Sequence, residues 1–143
     1  MKLDVWSVRW TGSSFFMWIF ARRAGLAQDP DFQSKKAPAL VLTTRGRKSG
    51  RPRSVVLPYF TFDGSTFVVG SKGGAPEDPD WVRNLRQTPE ALIYMNRRSK
   101  AVTTRFADKE ERLRLWSQLV RLAPTYQGYQ QGTSREIPLV MID

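Results

Sequence analysis

The chain has neither cysteine nor histidine among its 143 residues. That excludes disulfides, imidazole or thiolate zinc sites, cysteine nucleophiles and histidine-based triads. A long apolar run is missing as well. The strongest one, Phe15-Phe16-Met17-Trp18-Ile19-Phe20, lies between Arg9 and Arg22-Arg23, far short of the roughly 20 residues that span a bilayer. No small-residue cleavage site follows it, which argues against a secretory signal. Acidic residues are scarce, with 13 Asp and Glu against 23 Lys and Arg. Nothing in the composition calls for an oxidising compartment, so a cytoplasmic protein is expected. Any catalysis must use Asp, Glu, Lys, Arg, Tyr, Ser or a borrowed cofactor.

What is present suits one folded domain with one core. The residues are 41% hydrophobic and 12% aromatic, and the net charge is +10. The first two values exclude a disordered chain; the third attracts anions. Nucleic acid, an acidic membrane surface and a highly charged small ligand are the partners such a balance admits.

Residues 1–37 read as an N-terminal helical segment and linker, with a helix over 3–26, and the polar stretch 27–38 holds Pro30 and Pro38. Aromatics and arginines in residues 1–26 make this segment the candidate for a peripheral membrane contact; the alternative is a helix packed on the body. Residues 38–143 read as the main domain. Strands are expected at 39–44, 53–62 and 66–71, the last two joined at Asp63-Gly64-Ser65, a hairpin signal. A helix starts at Pro79 with Asp78 as its cap and stops before Pro89, turning Trp81, Val82 and Leu85 inward. Strands follow at 91–95 and 101–106 around a polar turn over 96–100. Asp108 and Glu111 resemble a capping box. They open a helix over 109–122 whose apolar face is Leu113, Trp116, Leu119 and Val120. A last strand covers 137–142. Hairpin-length connections favour an antiparallel α+β domain or small barrel over a doubly wound sheet.

The most informative stretch is Arg45-Gly46-Arg47-Lys48-Ser49-Gly50-Arg51-Pro52-Arg53. Between Phe32 and Phe62 there are seven basic residues and no acidic one. The loop joins two predicted strands, so its charges project from a rigid scaffold. Its glycines let backbone amides approach a ligand, and Ser49 adds a hydroxyl. Arginine offers bidentate contacts and lysine a point charge to phosphate or carboxylate. It is not a P-loop, because the GxxxxGK[ST] spacing is absent and no helix follows. A second loop, Gly70-Ser71-Lys72-Gly73-Gly74, and the segment Asp80-Trp81-Val82-Arg83-Asn84 are weaker signals. Tyr126 and Tyr129 stand three apart, on one side of a helical turn.

The order LVLTTRGRKSGRPRSVVLPYF, VVGSKGG, PDWVRNL, PTYQGYQ and a closing IPLVMI resembles the deazaflavin-dependent nitroreductase family over residues 38–143. The resemblance implies a split β-barrel, related in fold to flavin-mononucleotide proteins of the pyridoxamine-phosphate-oxidase type. It implies reduced coenzyme F420 as cofactor, whose tail carries a phosphodiester and a polyglutamate. Hydride would pass from it to an electron-poor acceptor, a quinone, enone or nitroaromatic. By the match, Arg47, Lys48 and Ser49 hold the phosphate. Arg53, Ser54, Val55, Val56, Leu57, Pro58 and Tyr59 line the strand beside the cofactor. Val69, Gly70, Ser71 and Lys72 approach the ring, and Asp80, Trp81, Val82, Arg83 and Asn84 cover its other part. Tyr126 borders cofactor and substrate with Tyr129, and Ser71 is the candidate to polarise the acceptor. Ala123 stands where family members can carry a third aromatic, which implies a wider pocket. The competing functions are an FMN-binding split-barrel oxidoreductase and a basic single-strand-binding barrel. The partner expected is a small-molecule acceptor and not nucleic acid, with the chain a monomer or homodimer and no metal site.

Overall fold

The computed structural model describes residues 38–143; the expectations for residues 1–37, the helix over 3–26 and its membrane contact included, lie outside the described residues. Among these there are seven strands: β1 (Ala39–Arg45), β2 (Pro52–Phe62), β3 (Ser65–Val69), β4 (Glu90–Met95), β5 (Arg98–Thr103), β6 (Arg105–Phe106) and β7 (Leu139–Met141). Three α-helices accompany them, α1 (Asp80–Gln87), α2 (Lys109–Leu122) and α3 (Thr125–Gln131). The strands form one antiparallel sheet in the order β5-β4-β1-β2-β3-β7-β6. It is a curled half-barrel of the split-barrel type.

Two local devices curl it. β2 pairs with β1 as far as Pro58 and with β3 from Tyr59 onward. β1 begins at Ala39, so its pairing with β2 ends at Pro58, with the Tyr59 N–H still donating to the Pro38 carbonyl at 3.0 Å, and the rest of β2 pairs only with β3. At the other end, the expected strand over 101–106 is broken at Thr104. Its N–H and hydroxyl both donate to the carbonyl of Pro89, at 2.9 and 2.7 Å. One residue thus separates the two edge strands β5 and β6, which brings the sheet edges together.

The hairpins are tight. Asp63 and Gly64 link β2 to β3, and Asn96 and Arg97 link β4 to β5, all four with positive φ, the geometry of a two-residue type I′ turn. The polar turn is therefore shorter than expected, and Arg98 to Lys100 belong to a strand. They are exposed there, and charge on an edge strand discourages pairing with another chain.

Two cores flank β3 and β7. Leu40, Leu42, Val68, Val82, Leu85, Ile93, Val140 and Ile142 fill the barrel interior. Phe60, Phe67, Leu115, Leu119, Ile137, Leu139 and Met141 pack beneath α2 and α3. Alternate residues of β3 and β7 serve different cores, so both strands read as continuous apolar runs. α2 turns Leu115 and Leu119 inward and leaves Leu113 59% exposed, so the expected face is rotated. Asp108 does cap α2, accepting the Glu111 N–H at 2.9 Å. The Glu111 carboxylate instead takes two bonds from Arg105, at 2.6 and 2.8 Å, which holds its pKa below the usual glutamate range.

Candidate functional site

The loop between β1 and β2 is closed by its own backbone. Gly46 N–H donates to the Arg51 carbonyl and Gly50 N–H to that of Gly46, both at 2.8 Å. A Cβ at Gly46 would stand 2.8 Å from Ser49 Oγ and 3.1 Å from the Arg51 carbonyl oxygen, so only glycine closes the loop this tightly. Ser49 Oγ accepts the Arg51 N–H at 3.1 Å. Accepting that bond leaves the hydroxyl proton to be donated elsewhere.

A buried amide from α1 holds the loop to the body. Asn84, 3% exposed, accepts on Oδ1 from the Arg47 N–H at 3.1 Å and from Arg47 Nη1 at 3.0 Å. Its Nδ2 donates to Thr44 Oγ1 at 3.0 Å. Arg47 Nη2 also reaches Asp80 Oδ1 at 3.2 Å. The start of α1 differs from expectation. Pro79 occupies the cap position, its carbonyl accepting from Val82 and Arg83. Asp78 does not cap the helix; its carboxylate is taken by Arg86 and Arg135.

Between this loop, β2 and α1 lies a cavity of about 490 Å³, lined by Gly46, Arg47, Lys48, Ser49, Arg53, Ser54, Val55, Asp80, Trp81 and Asn84. Its wall carries three cations and one carboxylate. Lys48 and Arg53 are exposed, while the Trp81 side chain is largely buried. Such a lining suits a phosphate or carboxylate joined to an apolar or aromatic body.

The fold thus brings together two of the sequence motifs, and parts the others. Along β2, Val55, Leu57 and Tyr59 pack toward the barrel interior, whereas Val56 joins Val41, Leu92 and Tyr94 on the opposite face. Arg53, Ser54 and Val55 line the cavity; Val56, Leu57, Pro58 and Tyr59 do not. Val82 is fully buried and Val69 nearly so. Gly70 has a packing reason: a Cβ there would meet Val82 Cγ2 at 2.8 Å and Pro138 Cγ at 2.9 Å. Arg83 pairs with Glu77 at 3.1 Å. Tyr126, 4% exposed, meets Phe60 edge-on at 5.9 Å and Tyr129 edge-on at 5.6 Å. Ala123 is buried in the same cluster.

Ser71 and Lys72 sit at a separate place, where a 3-10 turn over Lys72–Gly74 packs on α3. Sequence reasoning missed what holds this loop. Arg135 donates from Nε to the Ala75 carbonyl at 2.8 Å, from Nη1 to the Gly70 carbonyl at 3.1 Å and Asp78 at 2.9 Å, and from Nη2 to the Ser71 carbonyl at 2.8 Å. No local pattern marks that arginine, since its partners lie in a distant loop.

No helix among the described residues is long and apolar enough to cross a membrane. Residues 18–143 match the family model described as F420H(2)-dependent quinone reductase. The F420H(2)-dependent quinone reductase Rv1261c of Mycobacterium tuberculosis is 36% identical over 109 residues, 73% of this chain and 72% of that protein. A solved F420-H2 dependent reductase, FDR-A, is 34% identical, with a TM-score of 0.65 over 74% of this chain and 94% of its own. A further solved structure, described as a domain-swapped dimer, is 28% identical with a TM-score of 0.66. That match covers 91% of this chain and 100% of the other.

Proposed function

The chain belongs to the F420H(2)-dependent quinone reductase family, and on that premise we propose that it binds reduced F420 in the cavity between the β1–β2 loop and α1 and reduces a small quinone. One observation carries the placement: Arg47, Lys48 and Arg53 converge on a cavity whose lining holds a single carboxylate. The residues fit the coenzyme's acidic tail, because charged donors and the Ser49 hydroxyl match phosphodiester oxygens. When bound, reduced F420 supplies the hydride.

The chain's own residues position and screen. Lys48 and Arg53 are the direct grips, being exposed at the cavity rim. Arg47 is oriented by Asn84, which takes both its backbone and its side-chain N–H. Trp81 gives the cavity an apolar wall. Just past β3, Ser71 gives its carbonyl to the Arg135 clasp, and it and Lys72 would approach the ring. Tyr129, only half-buried, borders the acceptor; Tyr126 stands behind it as an edge-on support. With no histidine or cysteine in the sequence, the proton that follows the hydride comes from water or the Tyr129 phenol. A homodimer is the assembly this reading favours, as the domain-swapped relative supports.

The test is a fluorescence titration with oxidised F420, followed by turnover of reduced F420 with menadione. Stoichiometric binding at micromolar concentration and quinone-dependent oxidation are expected. Absence of binding at low salt would remove the reading.

A further inference from the structure

Lys72 is a strained residue in a well-bonded turn. Its φ is +46°, a region that residues other than glycine seldom enter and that persists only where the surroundings impose it. Two turn bonds hold it from one side, Gly74 N–H to the Ser71 carbonyl and Ala75 N–H to the Lys72 carbonyl. Arg135 holds it from the other. Its side chain is 15% exposed, and it draws the Gly70, Ser71 and Ala75 carbonyls onto one guanidinium at 3.1, 2.8 and 2.8 Å. Asp78 faces the same guanidinium at 2.9 Å. Gln130 Nε2 fixes the arginine's own backbone, donating to its carbonyl at 2.7 Å. In a planar trans peptide, a carbonyl and the N–H that follows it point in opposite directions. With the Gly70 and Ser71 carbonyls turned to Arg135, the Ser71 and Lys72 N–H groups are turned away from it. Neither donates to any described residue. Ser71 in the right-handed region (φ −78°, ψ −42°), followed by Lys72 at positive φ, is the backbone shape that gathers successive N–H groups into a cradle for a negatively charged oxygen.

We propose that Arg135 is a positioning residue for hydride transfer: by clasping the carbonyls of this turn, it keeps the Ser71 and Lys72 N–H groups presented to a ring oxygen of the coenzyme. The inference rests on the reading that F420 lies against Ser71 and Lys72. Two fixed donors on one edge of the ring set its tilt and depth, while Lys48 and Arg53 grip the tail. The turn also meets the acceptor side. A Cβ at Gly74 would stand 2.8 Å from the Tyr129 carbonyl oxygen, so turn and α3 touch backbone to backbone. Loosening the clasp therefore misaligns ring and acceptor without releasing the tail. Lysine does not substitute for Arg135, because one ammonium lacks the planar fork that spans several carbonyls.

The experiment follows the backbone amide NMR signals of Ser71 and Lys72 during titration with oxidised F420. It then measures single-turnover hydride transfer from reduced F420 to menadione. Wild-type protein, Arg135→Lys, Arg135→Ala and Ile142→Ala are compared. Ile142 is buried in the barrel interior and bonds Thr66 at the opposite end of β3, so its truncation lowers stability without touching the turn. In the wild-type protein F420 should shift both amides. In both Arg135 variants those shifts should shrink, and hydride transfer should slow about 10- to 100-fold, the scale of a misplacement near 1 Å. Affinity for F420 should change by less than about 3-fold, since the charged contacts to the tail remain. Ile142→Ala should keep the wild-type shifts and rate. Arg135→Lys carries the test should Arg135→Ala fail to fold. An unchanged rate in Arg135→Lys, an equal loss in Ile142→Ala, a fall in affinity as large as the fall in rate, or wild-type amides that bound F420 leaves unshifted would overturn the positioning role. Failure of the wild-type protein to bind F420 at all would instead overturn the functional reading itself.

Discussion

Two arginines, Arg47 and Arg135, hold loops in this protein and do it for different ends. Arg135 gives its donors to three backbone carbonyls and to Asp78, so its charge is spent inside the fold. Arg47 is anchored by Asn84 and Asp80 yet faces a cavity beside Lys48 and Arg53, whose cations remain directed to solvent. Arg112 belongs with Arg135: it bonds the Ile137 carbonyl and Gln130 and lies over the Trp116 ring at 4.6 Å. Burial pulls its pKa below the ordinary guanidinium value. The comparison teaches that a net charge of +10 mixes two populations. One set of cations satisfies carbonyls the chain would otherwise leave unpaired; the other is available to a ligand.

The largest expected effect breaks the structural member. Arg135→Ala removes the arginine donors from the Gly70 and Ala75 carbonyls and leaves the Ser71 carbonyl only the Gly74 N–H and Asp78 only Arg86, which should cost about 2–4 kcal/mol of stability. A fall in the denaturation midpoint with urea checks it; a change below 1 kcal/mol would deny that the clasp bears on stability. Next comes the ligand-facing member. Lys48→Ala should weaken F420 binding by about 1.5–3 kcal/mol through a lost charge-assisted contact, with the melting temperature nearly unchanged. Equal affinity at low salt would count against the phosphate role.

Asn84→Ala sharpens the comparison, since it joins both roles. It should destabilise by about 1–2 kcal/mol, as a buried truncation that orphans Thr44 and Arg47 donors and acceptors does. It should weaken F420 as well, because the loop loses its anchor. The smallest effect belongs to the pair of exposed Arg105 and half-buried Glu111. The folded Glu111 pKa lies below its unfolded value, so the pair stabilises fully above the unfolded pKa of about 4.3. That contribution vanishes as pH falls through the lowered value. Glu111→Gln should cost roughly 0.2–1 kcal/mol near neutral pH and flatten the acid limb of stability against pH.

Much of the fold was legible because its signals are local. The Asp63-Gly64 turn, the Asp108 cap and the apolar runs of β1 and β3 each act within a few residues. The break at Thr104 was not legible, since it depends on the Pro89 carbonyl across the fold. Leu113 was misplaced for a similar reason: several faces of α2 are apolar enough, and contact with the second core selects Leu115. At the site, the basic loop and the Asp80-to-Asn84 segment were found and do meet. The runs 56–59 and 69–70 lie outside the lining of this cavity, and strand alternation sends half of the side chains of any strand away from one face.

The sequence alone determined the chemistry on offer: no thiol or imidazole, an excess of cations, a glycine-spaced basic loop between strands, and motifs in the order of one reductase family. Tertiary structure alone decided which cation faces the cavity and which is consumed by the fold. A guanidinium's role depends on the oxygens within about 3 Å of it, and here those oxygens are set by residues from remote parts of the chain.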